Sequence, residues 1–401
     1  MGFQSFQFDA RLNANIKAQG YTQPTPIQAQ SMPAILEKRD VMGLAQTGTG
    51  KTAAFVLPII QGLLKDKTTK GVRALVVAPT RELAQQIHEE IVKLSHGTGL
   101  GSVTLYGGVN IKPQIKSLQQ GVDIVVACPG RLLDHVEQRT INLMTVKTLV
   151  LDEADQMFDM GFLPSIRRIL RFVPKQRQTL LFSATMPEAI HELAHDILVN
   201  PVMVKVAESK AAKTVKHTLF PVAKHLKVPL LIALLKSTTI QSVLVFTRTK
   251  HSAKKVAQKL EQVGFSATSL QGNLSQNKRQ EAMNGFRDGS LQILVATDIA
   301  ARGIDVTRIS HVINFDIPST VETYIHRIGR TGRAEKFGEA FTLISAEDAS
   351  EVRSIERVLG GKIEQRLLDG FDYDAKAASP MRKLGERPEG RVLAAFDRIR
   401  D

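Results

Sequence analysis

A short segment near the start of the chain has the residue types and the spacing that phosphate binding requires. The strand-like run Val41–Leu44 leads into residues 45–52 (AQTGTGKT), and a helical pattern follows. Glycines in such a turn let backbone N–H groups point at a phosphate, and the helix N-terminus adds partial positive charge. In a loop of this kind the lysine reaches the β- and γ-phosphates of a nucleotide, and the next hydroxyl ligates Mg²⁺. The residues of the predicted phosphate loop are Gly48, Thr49, Gly50, Lys51 and Thr52.

The alternative is a turn that is rich in glycine and threonine by chance. Ala45 stands where the strict G-x-x-x-x-G-K-T pattern has its first glycine. The strand before the loop and the helix after it nevertheless favour the phosphate loop, because these flanks are what the motif requires. We therefore predict that Lys51 and Thr52 hold a nucleoside triphosphate and Mg²⁺.

A pair of acidic residues stands at the end of a second strand-like run. Residues 149–151 are apolar, and Asp152, Glu153, Ala154 and Asp155 follow them. We expect Asp152 to hold Mg²⁺ through water and Glu153 to orient or deprotonate the attacking water. Acids in this position also often cap a helix. Together with the phosphate loop, however, they predict nucleotide hydrolysis.

The elements that position these residues follow from an alternation of short apolar runs with amphipathic stretches. Strand-like runs lie at 41–44, 74–78, 103–106, 124–127, 149–151 and 179–182, and again at 243–246, 292–296, 311–315 and 340–344. Helical patterns lie between them at 52–64, 81–94, 253–263 and 276–286. This alternation is typical of parallel sheets covered by helices on both faces.

The alternation pauses near residues 204–216, where the charge also changes. We predict an N-terminal α/β lobe at 1–206, a basic linker at 207–217 and a C-terminal α/β lobe at 218–365. Residues 366–401 are expected to form a short tail, loose from residue 371 onwards, with no recognisable binding module. No fixed-period repeat is visible, although the two lobes could share one fold.

The composition excludes several classes of protein. The 401 residues are 43% hydrophobic and 23% charged, as in ordinary globular proteins. Cys128 is the single cysteine, which excludes an intrachain disulfide and a cysteine-based zinc site. No apolar run is long enough to span a bilayer, and the N-terminus does not resemble a secretory signal. We expect a cytoplasmic protein without membrane association; the oligomeric state cannot be predicted.

The positive charge is concentrated in one part of the chain. The formal net charge is +14, and residues 205–260 contain 12 basic residues but only one acidic residue, Glu208. Such a block is either a solvated surface or a surface that binds a polyanion. The basic residues of this block include Lys210, Lys213, Lys216, Lys224, Lys227, Lys254 and Lys255.

The motifs together resemble those of the DEAD-box RNA helicases of superfamily two, bacterial type. Residues 152–155 spell DEAD, and residues 20–28 (GYTQPTPIQ) resemble the Q motif of the family, with Phe3 upstream as its isolated aromatic residue. The resemblance implies that Gln28 reads the edge of adenine while Tyr21 or Phe3 packs on its face. An amide suits this role because it offers both a donor and an acceptor. The resemblance also implies two RecA-like, doubly wound parallel-sheet lobes in tandem, with ATP in the cleft between them.

The second lobe has no phosphate loop but contains the segment 324–333 (YIHRIGRTGR). The resemblance implies that Arg330 and Arg333 are arginine fingers for the γ-phosphate, that His326 communicates with the first lobe and that Asp305 contacts the ribose. Ser183 and Thr185 match the motif that couples the ATP site to the RNA site, although such residues also cap helices. Without the arginine fingers, hydrolysis should be slow.

Further segments match the RNA-contacting motifs of the family. Each joins a glycine, a hydroxyl or an arginine to a loop or a helix start, which suits binding of phosphates. The predicted RNA-binding residues are Pro79, Thr80, Arg81, Gly108, Gly130, Arg131, Arg248, Arg279, Thr297, Arg302 and Gly303. Because the chain has no Trp and 4 Tyr, we expect backbone contacts, tolerance of RNA sequence and steep salt dependence rather than base stacking. RNA should be preferred over DNA through its 2′-hydroxyls.

We therefore predict an RNA-stimulated ATPase that unwinds short duplexes or remodels ribonucleoprotein, in ribosome assembly or RNA decay and with protein partners from those pathways. The alternatives are an ATP-gated RNA clamp or annealing chaperone, and a DNA-directed translocase. Cys128 replaces the threonine that is usual in the family. A thiol is a poorer hydrogen-bond donor, so we expect Cys128 to be a small buried apolar residue.

Overall fold

The computed structural model describes residues 2–46, 48–66, 70–206, 215–238, 240–301, 309–332 and 338–376. Four predicted site residues lie outside the described residues: Arg302, Gly303, Asp305 and Arg333. Most of the predicted linker, 207–214, and residues 377–401 of the predicted tail also lie outside them.

The first lobe is built on a parallel sheet, to which seven strands belong within the described residues. The strands are β1 (Val41–Leu44), β2 (Ala74–Val77), β3 (Ser102–Leu105), β4 (Ile124–Ala127), β5 (Thr148–Leu151), β6 (Gln178–Ser183) and β7 (Val202–Lys205). Their order across the sheet is β3-β4-β2-β5-β6-β1-β7. Near the centre of the sheet, β5 lies beside β6, with Leu151 opposite Leu181. The DEAD segment and the Ser183 segment therefore leave the sheet at the same edge.

Helices cover both faces of this sheet. They are α1 (Ala10–Ala18), α2 (Pro26–Leu36), α3 (Lys51–Lys65), α4 (Arg81–Leu94), α5 (Lys112–Gln119), α6 (Pro129–Glu137), α7 (Ala154–Asp159), α8 (Leu163–Leu170) and α9 (Glu188–Ile197), after a 3₁₀ turn at Phe3–Phe6. Successive residues of β2 belong to different cores: Ala74 and Val76 pack on one face, Leu75 and Val77 on the other. Burial on both faces explains why the strands are continuously apolar.

The second lobe repeats this topology. Its described strands are β8 (Val215–Pro221), β9 (Val243–Phe246), β10 (Ala267–Leu270), β11 (Ile293–Ala296), β12 (His311–Asn314), β13 (Gly338–Ile344) and β14 (Glu364–Gln365). Their order is β10-β11-β9-β12-β13-β8-β14, which is the order of the first sheet when the strands of each lobe are counted from its start. The helices are α10 (Lys227–Ser237), α11 (Lys250–Gln262), α12 (Gln276–Asp288), α13 (Asp298–Ala301), α14 (Val321–Ile328) and α15 (Ala349–Leu359), with 3₁₀ turns at Lys224–Leu226 and Ala346–Asp348.

The predicted fold class, two RecA-like parallel-sheet lobes, is confirmed, and the two lobes share one strand order. The strands β7, β8, β10 and β14 were not among the predicted runs. Polar or exposed residues interrupt their pattern: Met203 on the edge strand β7 is 57% exposed, Lys216 in β8 is exposed, β10 contains Thr268 and Ser269, and β14 consists of Glu364 and Gln365. β8 begins three residues before the predicted start of the second lobe, at Val215, and pairs with β13 along its length. The domain boundaries themselves stay a prediction.

Part of the predicted loose tail is packed onto the second lobe. Leu368, Phe371 and Tyr373 contact its hydrophobic core, and the Tyr373 hydroxyl accepts a hydrogen bond from the Leu368 N–H at 2.8 Å. The expectation of a loose segment is therefore wrong for residues 371–376, because the rings of Phe371 and Tyr373 pack against the core of the second lobe. Within the described residues, no helix combines the length and apolar character needed to cross a membrane.

Candidate nucleotide site and nucleic-acid interface

The predicted phosphate loop leaves β1 and turns directly into α3. Gly48 and Gly50 have φ angles of 85° and 90°, in the left-handed region that favours glycine. A Cβ on Gly50 would lie 2.6 Å from Nε2 of Gln28, so the loop also needs glycine there for space. The Thr49 hydroxyl closes the turn by donating to the Gln46 carbonyl at 2.7 Å. The backbone is thereby held with the start of α3 facing the end of the sheet.

Lys51 is the first residue of α3, and its side chain points inward. The residue is buried, and within the described residues its Nζ has no hydrogen-bond partner. A buried ammonium group without such partners is costly unless an anionic group joins it. Lys51 lies close enough to Asp152 to oppose the protonation of that carboxyl. The position therefore suits the phosphates of a nucleotide.

The two acids follow β5 and are both buried. Burial raises the pKa of Asp152 to about 7, against the charge of Lys51. Asp152 accepts a hydrogen bond from the backbone N–H of Glu153 at 3.0 Å. Glu153 has φ 53° and ψ 53°, an uncommon left-handed conformation for a residue with a side chain. The backbone is thus strained at the residue that was predicted to act on the attacking water.

The side chains that could ligate Mg²⁺ lie beside the phosphate loop. Within the described residues, no group of three or more His, Cys, Asp or Glu side chains is arranged to hold a metal ion. Mg²⁺ differs from zinc in usually keeping several waters and binding through one or two carboxylates plus substrate phosphates. One buried carboxylate, Asp152, and the Thr52 hydroxyl at the start of α3 fit that pattern. These residues would hold the ion only together with the nucleotide.

The residues that resemble the Q motif lie against the phosphate loop. The Gln28 side chain accepts from the Thr25 N–H at 2.9 Å and donates to the Gly50 carbonyl at 3.1 Å. An amide can donate twice and accept twice, so each end of Gln28 keeps capacity for a further bond. Phe3 is buried and stacks on Tyr21, with ring centroids 6.0 Å apart. Tyr21 is the more exposed ring of the two and donates to Glu90.

Asp155, the last residue of the DEAD segment, connects this site to the segment after β6. Its Oδ2 accepts from the Thr185 N–H at 2.9 Å and from the Thr185 hydroxyl at 3.0 Å. The Ser183 hydroxyl in turn accepts from the Asp155 N–H at 3.2 Å and donates to the Thr185 carbonyl at 2.7 Å. Ser183 and Thr185 were predicted as coupling residues. Asp155 was not singled out as a site residue, although its place in the motif could have indicated it.

The second lobe also approaches the carboxylate of Asp155. Nε2 of His326 lies 4.0 Å from Oδ2 of Asp155, and His326 and Arg330 line a small cavity together with Gln156 of the first lobe. Burial lowers the pKa of His326 despite Asp155, and nearby Arg330 lowers it further. The imidazole is therefore neutral at neutral pH. Arg330 is almost completely buried at this junction.

Arg327, between these two residues, has a structural role that the sequence did not indicate. Its guanidinium makes two hydrogen bonds to Asp298, at 2.6 and 2.8 Å, and donates to the Asp316 carbonyl at 2.7 Å. It also lies over the ring of Phe246, 4.9 Å from the centroid. These contacts fix α14, which carries His326 and leads to Arg330.

Most of the predicted RNA-binding residues meet in one cleft between the lobes. The cleft has a volume of about 590 Å³. Its lining includes the predicted residues Pro79, Thr80, Arg81, Gly130, Arg131, Arg248, Arg279 and Thr297. Five cationic side chains and one carboxylate line it, so its charge is strongly positive. Gly108 lies beside it, where a Cβ would collide with the Arg81 guanidinium.

Two cross-lobe contacts in this cleft were not foreseen. Arg279 of the second lobe pairs with Glu82 of the first at 2.7 Å, and both side chains are nearly buried. Arg81 donates to the Gln276 side chain at 3.1 Å. Two predicted RNA-contacting arginines thus also join the lobes to each other. The sequence could not show this, because almost 200 residues separate the partners.

Cys128 borders the same cleft but is buried, as expected for a small apolar residue. Burial raises the pKa of its thiol to about 12, so the thiolate does not form at neutral pH. Met160 and Phe162, which follow α7, also line the cleft and were not predicted.

Comparison with known proteins agrees with this geometry. The model of the DEAD/DEAH box helicase family matches residues 25–193, and that of the helicase conserved C-terminal domain matches residues 226–335. The DEAD-box ATP-dependent RNA helicase CshA of Bacillus licheniformis is 42% identical over 399 residues, which are 99% of this chain and 79% of that protein. The chain belongs to the DEAD-box ATP-dependent RNA helicases. This DEAD-box helicase is accordingly an ATP-hydrolysing enzyme.

Another relative is RhpA of Helicobacter pylori, a DEAD-box ATP-dependent RNA helicase that is 42% identical to this DEAD-box protein over 346 residues. That match covers 86% of this chain and 70% of RhpA.

Solved structures give information about the lobe arrangement of this DEAD-box protein. S. cerevisiae Dbp5 bound to RNA and ADP BeF3 is similar with TM-score 0.80 at 29% identity, over 92% of this chain and 95% of that chain. Mss116p bound to ssRNA and AMP-PNP is similar with TM-score 0.84 at 28% identity, over 92% of this chain and 78% of that chain. A DEAD box protein from Methanococcus jannaschii is 38% identical, but its TM-score is only 0.53, over 91% of this chain and 99% of that chain. The similarity thus does not follow sequence identity, and it is high for two structures that hold RNA and a nucleotide analogue.

Proposed function

We propose that both lobes build one ATP site and that their closure on RNA couples ATP hydrolysis to local separation of short duplexes or remodelling of ribonucleoprotein. The observation that carries this proposal is the junction at Asp155. There, one carboxylate is hydrogen-bonded to Thr185 of its own lobe and lies 4.0 Å from His326 of the other lobe. A change in lobe position therefore acts directly on the segment that carries Asp152 and Glu153.

In this proposal the first lobe binds ATP and the second completes the site. Lys51 holds the phosphates, Gln28 and Tyr21 the adenine, and Glu153 accepts a proton from the attacking water. Mg²⁺, held by Thr52 and Asp152 with the nucleotide, would neutralise phosphate charge. Arg330 supplies positive charge to the γ-phosphate only in the closed form. We assign Arg333 and Asp305 their predicted roles on resemblance alone.

The RNA strand is proposed to lie in the cationic cleft. Its cations, hydroxyls and glycine backbone suit phosphates and riboses, which carry no base sequence. Closure of two lobes on one strand distorts only a few base pairs, at a cost of roughly 1.4 kcal/mol per step on the DNA scale. Local strand separation is therefore favoured over long processive movement.

The test is the ATPase rate measured without polymer, with RNA and with DNA, together with displacement of a short RNA duplex. We expect strong stimulation by RNA, weak stimulation by DNA, and ATP-dependent displacement. Equal stimulation by DNA would favour a DNA-directed translocase. RNA-stimulated turnover without displacement would favour an ATP-gated clamp or an annealing chaperone.

We further propose a cytoplasmic role in ribosome assembly or RNA decay, with protein partners that supply target selection. The reasoning is that a sequence-tolerant grip cannot choose a target by itself. Crosslinking of bound RNA in cells tests this, since a random sample of transcripts without ribosomal precursors or decaying RNA would contradict it.

A further inference from the structure

We propose that the lysine-bearing face of α11 extends the RNA path beyond the cleft, by binding backbone phosphates along the outside of the second lobe. This inference rests on the proposed RNA-binding function and concerns a surface outside the residues that resemble the family motifs. We define the lysine face as Lys250, His251, Lys254, Lys255 and Lys259, all of which are exposed.

The two sides of α11 have opposite character. Ala253, Val256, Ala257 and Leu260 are buried and pack against the core of the second lobe. The lysine face repeats at intervals of three and four residues, which places its members on one side of the helix. Lys250 and Lys259 are nine residues apart in this helix, so the stripe of cations extends for about 14 Å.

The stripe begins inside the RNA cleft. Lys250 is among the residues that line the cleft, and its Nζ donates to Asn273 at 3.2 Å. Asn273 stands between Gly272 and Leu274, which also line the cleft. A polyanion that leaves the cleft at this end therefore meets Lys254, Lys255 and then Lys259 without a gap in positive charge.

The lysines of the stripe lack carboxylate partners in the part of the chain that the structure describes. No ion pair joins Lys254, Lys255 or Lys259 to an acid there, whereas Arg168 and Lys147 of the first lobe are paired. Lysines four residues apart repel each other, and a bound polyanion relieves this repulsion. A face that is only solvated does not require unpaired lysines four residues apart. An acidic protein partner does not require a stripe of lysines that continues from the cleft. RNA fits both observations.

The test compares two RNA lengths on the full chain in the presence of a non-hydrolysable ATP analogue. The variant is K254Q/K255Q/K259Q, and the RNAs are a single strand of roughly 6 nucleotides, confined to the cleft, and one of roughly 20. We expect roughly tenfold weaker binding of the longer RNA and unchanged binding of the shorter one. The slope of log affinity against log salt should fall by about 2, since each lost single-strand phosphate contact contributes about 0.7.

The matched control is R167Q/R171Q/K175Q, which removes three exposed cations, spaced by four residues, from the first lobe. It should bind both RNAs like the parent, and K254R/K255R/K259R should retain the parent's length dependence. Equal affinity of the glutamine variant and the parent for the longer RNA would overturn the inference. An equal loss in the control would also overturn it, because that result would indicate an effect of net charge alone. If the parent binds neither RNA, the proposed function fails instead.

Discussion

The two lobes have the same strand order but different chemistry at equivalent positions. In the first lobe β1 ends in a glycine-rich loop whose lysine is buried beside carboxylates. In the second lobe the equivalent strand, β8, ends in Pro221 and is followed by Val222 and Ala223. An open hollow of about 850 Å³ lies there, with Val222, Ile344 and other apolar residues in its lining. Topology sets where a site can form, and the loop residues decide its chemistry.

The comparison also shows a division of charge. The first lobe contributes the buried carboxylates Asp152, Glu153 and Asp155, while the second contributes His326 and Arg330 from α14 and the turn that follows it. Neither lobe alone supplies both the buried carboxylates and Arg330 for the proposed ATP site. The lobes differ, therefore, in which half of the proposed reaction each can support, and the following experiments test that division.

The largest effect is expected from Arg330→Ala. If the second lobe completes the ATP site, this variant should bind ATP and RNA nearly normally but lose 10³-fold or more in kcat, as arginine-finger removal typically does. RNA-stimulated steady-state kinetics with ATP-binding titrations measure this. A kcat within about threefold of the parent would show that the first lobe hydrolyses ATP without the second.

Asp155→Asn should have the next largest effect. The amide has one acceptor oxygen instead of two, so it cannot accept from the Thr185 segment and from the Gln156 N–H together, and it lacks the charge facing His326. We expect kcat to fall by roughly 10²-fold, equivalent to about 3 kcal/mol, with a smaller change in ATP affinity. Thr185→Val is the control, since it removes the hydroxyl but keeps the carboxylate. A larger loss in the control than in Asp155→Asn would contradict the assignment.

The cross-lobe pair of Glu82 and Arg279 sharpens the comparison, because each lobe supplies one partner. A double-mutant cycle with Glu82→Gln and Arg279→Gln should give a coupling energy of about 1–3 kcal/mol for closure. Closure is followed by fluorescence transfer between labelled lobes, with and without RNA. Additive single effects would mean that the pair does not hold the lobes together. Glu90→Gln, which lies in the same helix but faces Tyr21, serves as the control.

The pH dependence tests the junction from the side of the second lobe. Burial lowers the pKa of His326 below its ordinary value of 6.5, so closure requires the neutral imidazole. In an open form His326 gains a proton as the pH falls through its ordinary pKa, and that proton must be lost on closure. RNA-stimulated turnover should therefore decrease by a few-fold between about pH 7 and 5.5. In His326→Asn this part of the decrease should disappear; an unchanged profile would assign it to other groups.

The smallest effect concerns stability. Glu153 has a left-handed backbone conformation that asparagine tolerates better, and its carboxyl lies near that of Asp152. Glu153→Asn should raise the free energy of unfolding by about 1 kcal/mol. Denaturant titration measures this. Lys38→Asn, which also has positive φ but lies outside the site, should be stabilising without loss of turnover.

Local sequence determined much of the first lobe. The phosphate loop and the DEAD segment were recognisable because a strand, its loop and the next helix are contiguous, and their burial leaves clear apolar runs. The strands at 41–44 and 124–127 of the first lobe, and the strand at 243–246 of the second, lie where the runs placed them. β8 was missed because Lys216 and His217 interrupt its apolar pattern, and it is held by long-range pairing with β13.

The tertiary structure alone decided which distant residues meet. Only the packing of two lobes places Arg81 beside Gln276, Glu82 beside Arg279 and His326 near Asp155. It also determined that Phe3 is buried beneath Tyr21 and that the lysines of α11 continue the cleft. The physical reason is that propensity and periodicity act within one element. A contact across nearly 200 residues depends instead on how finished surfaces fit together.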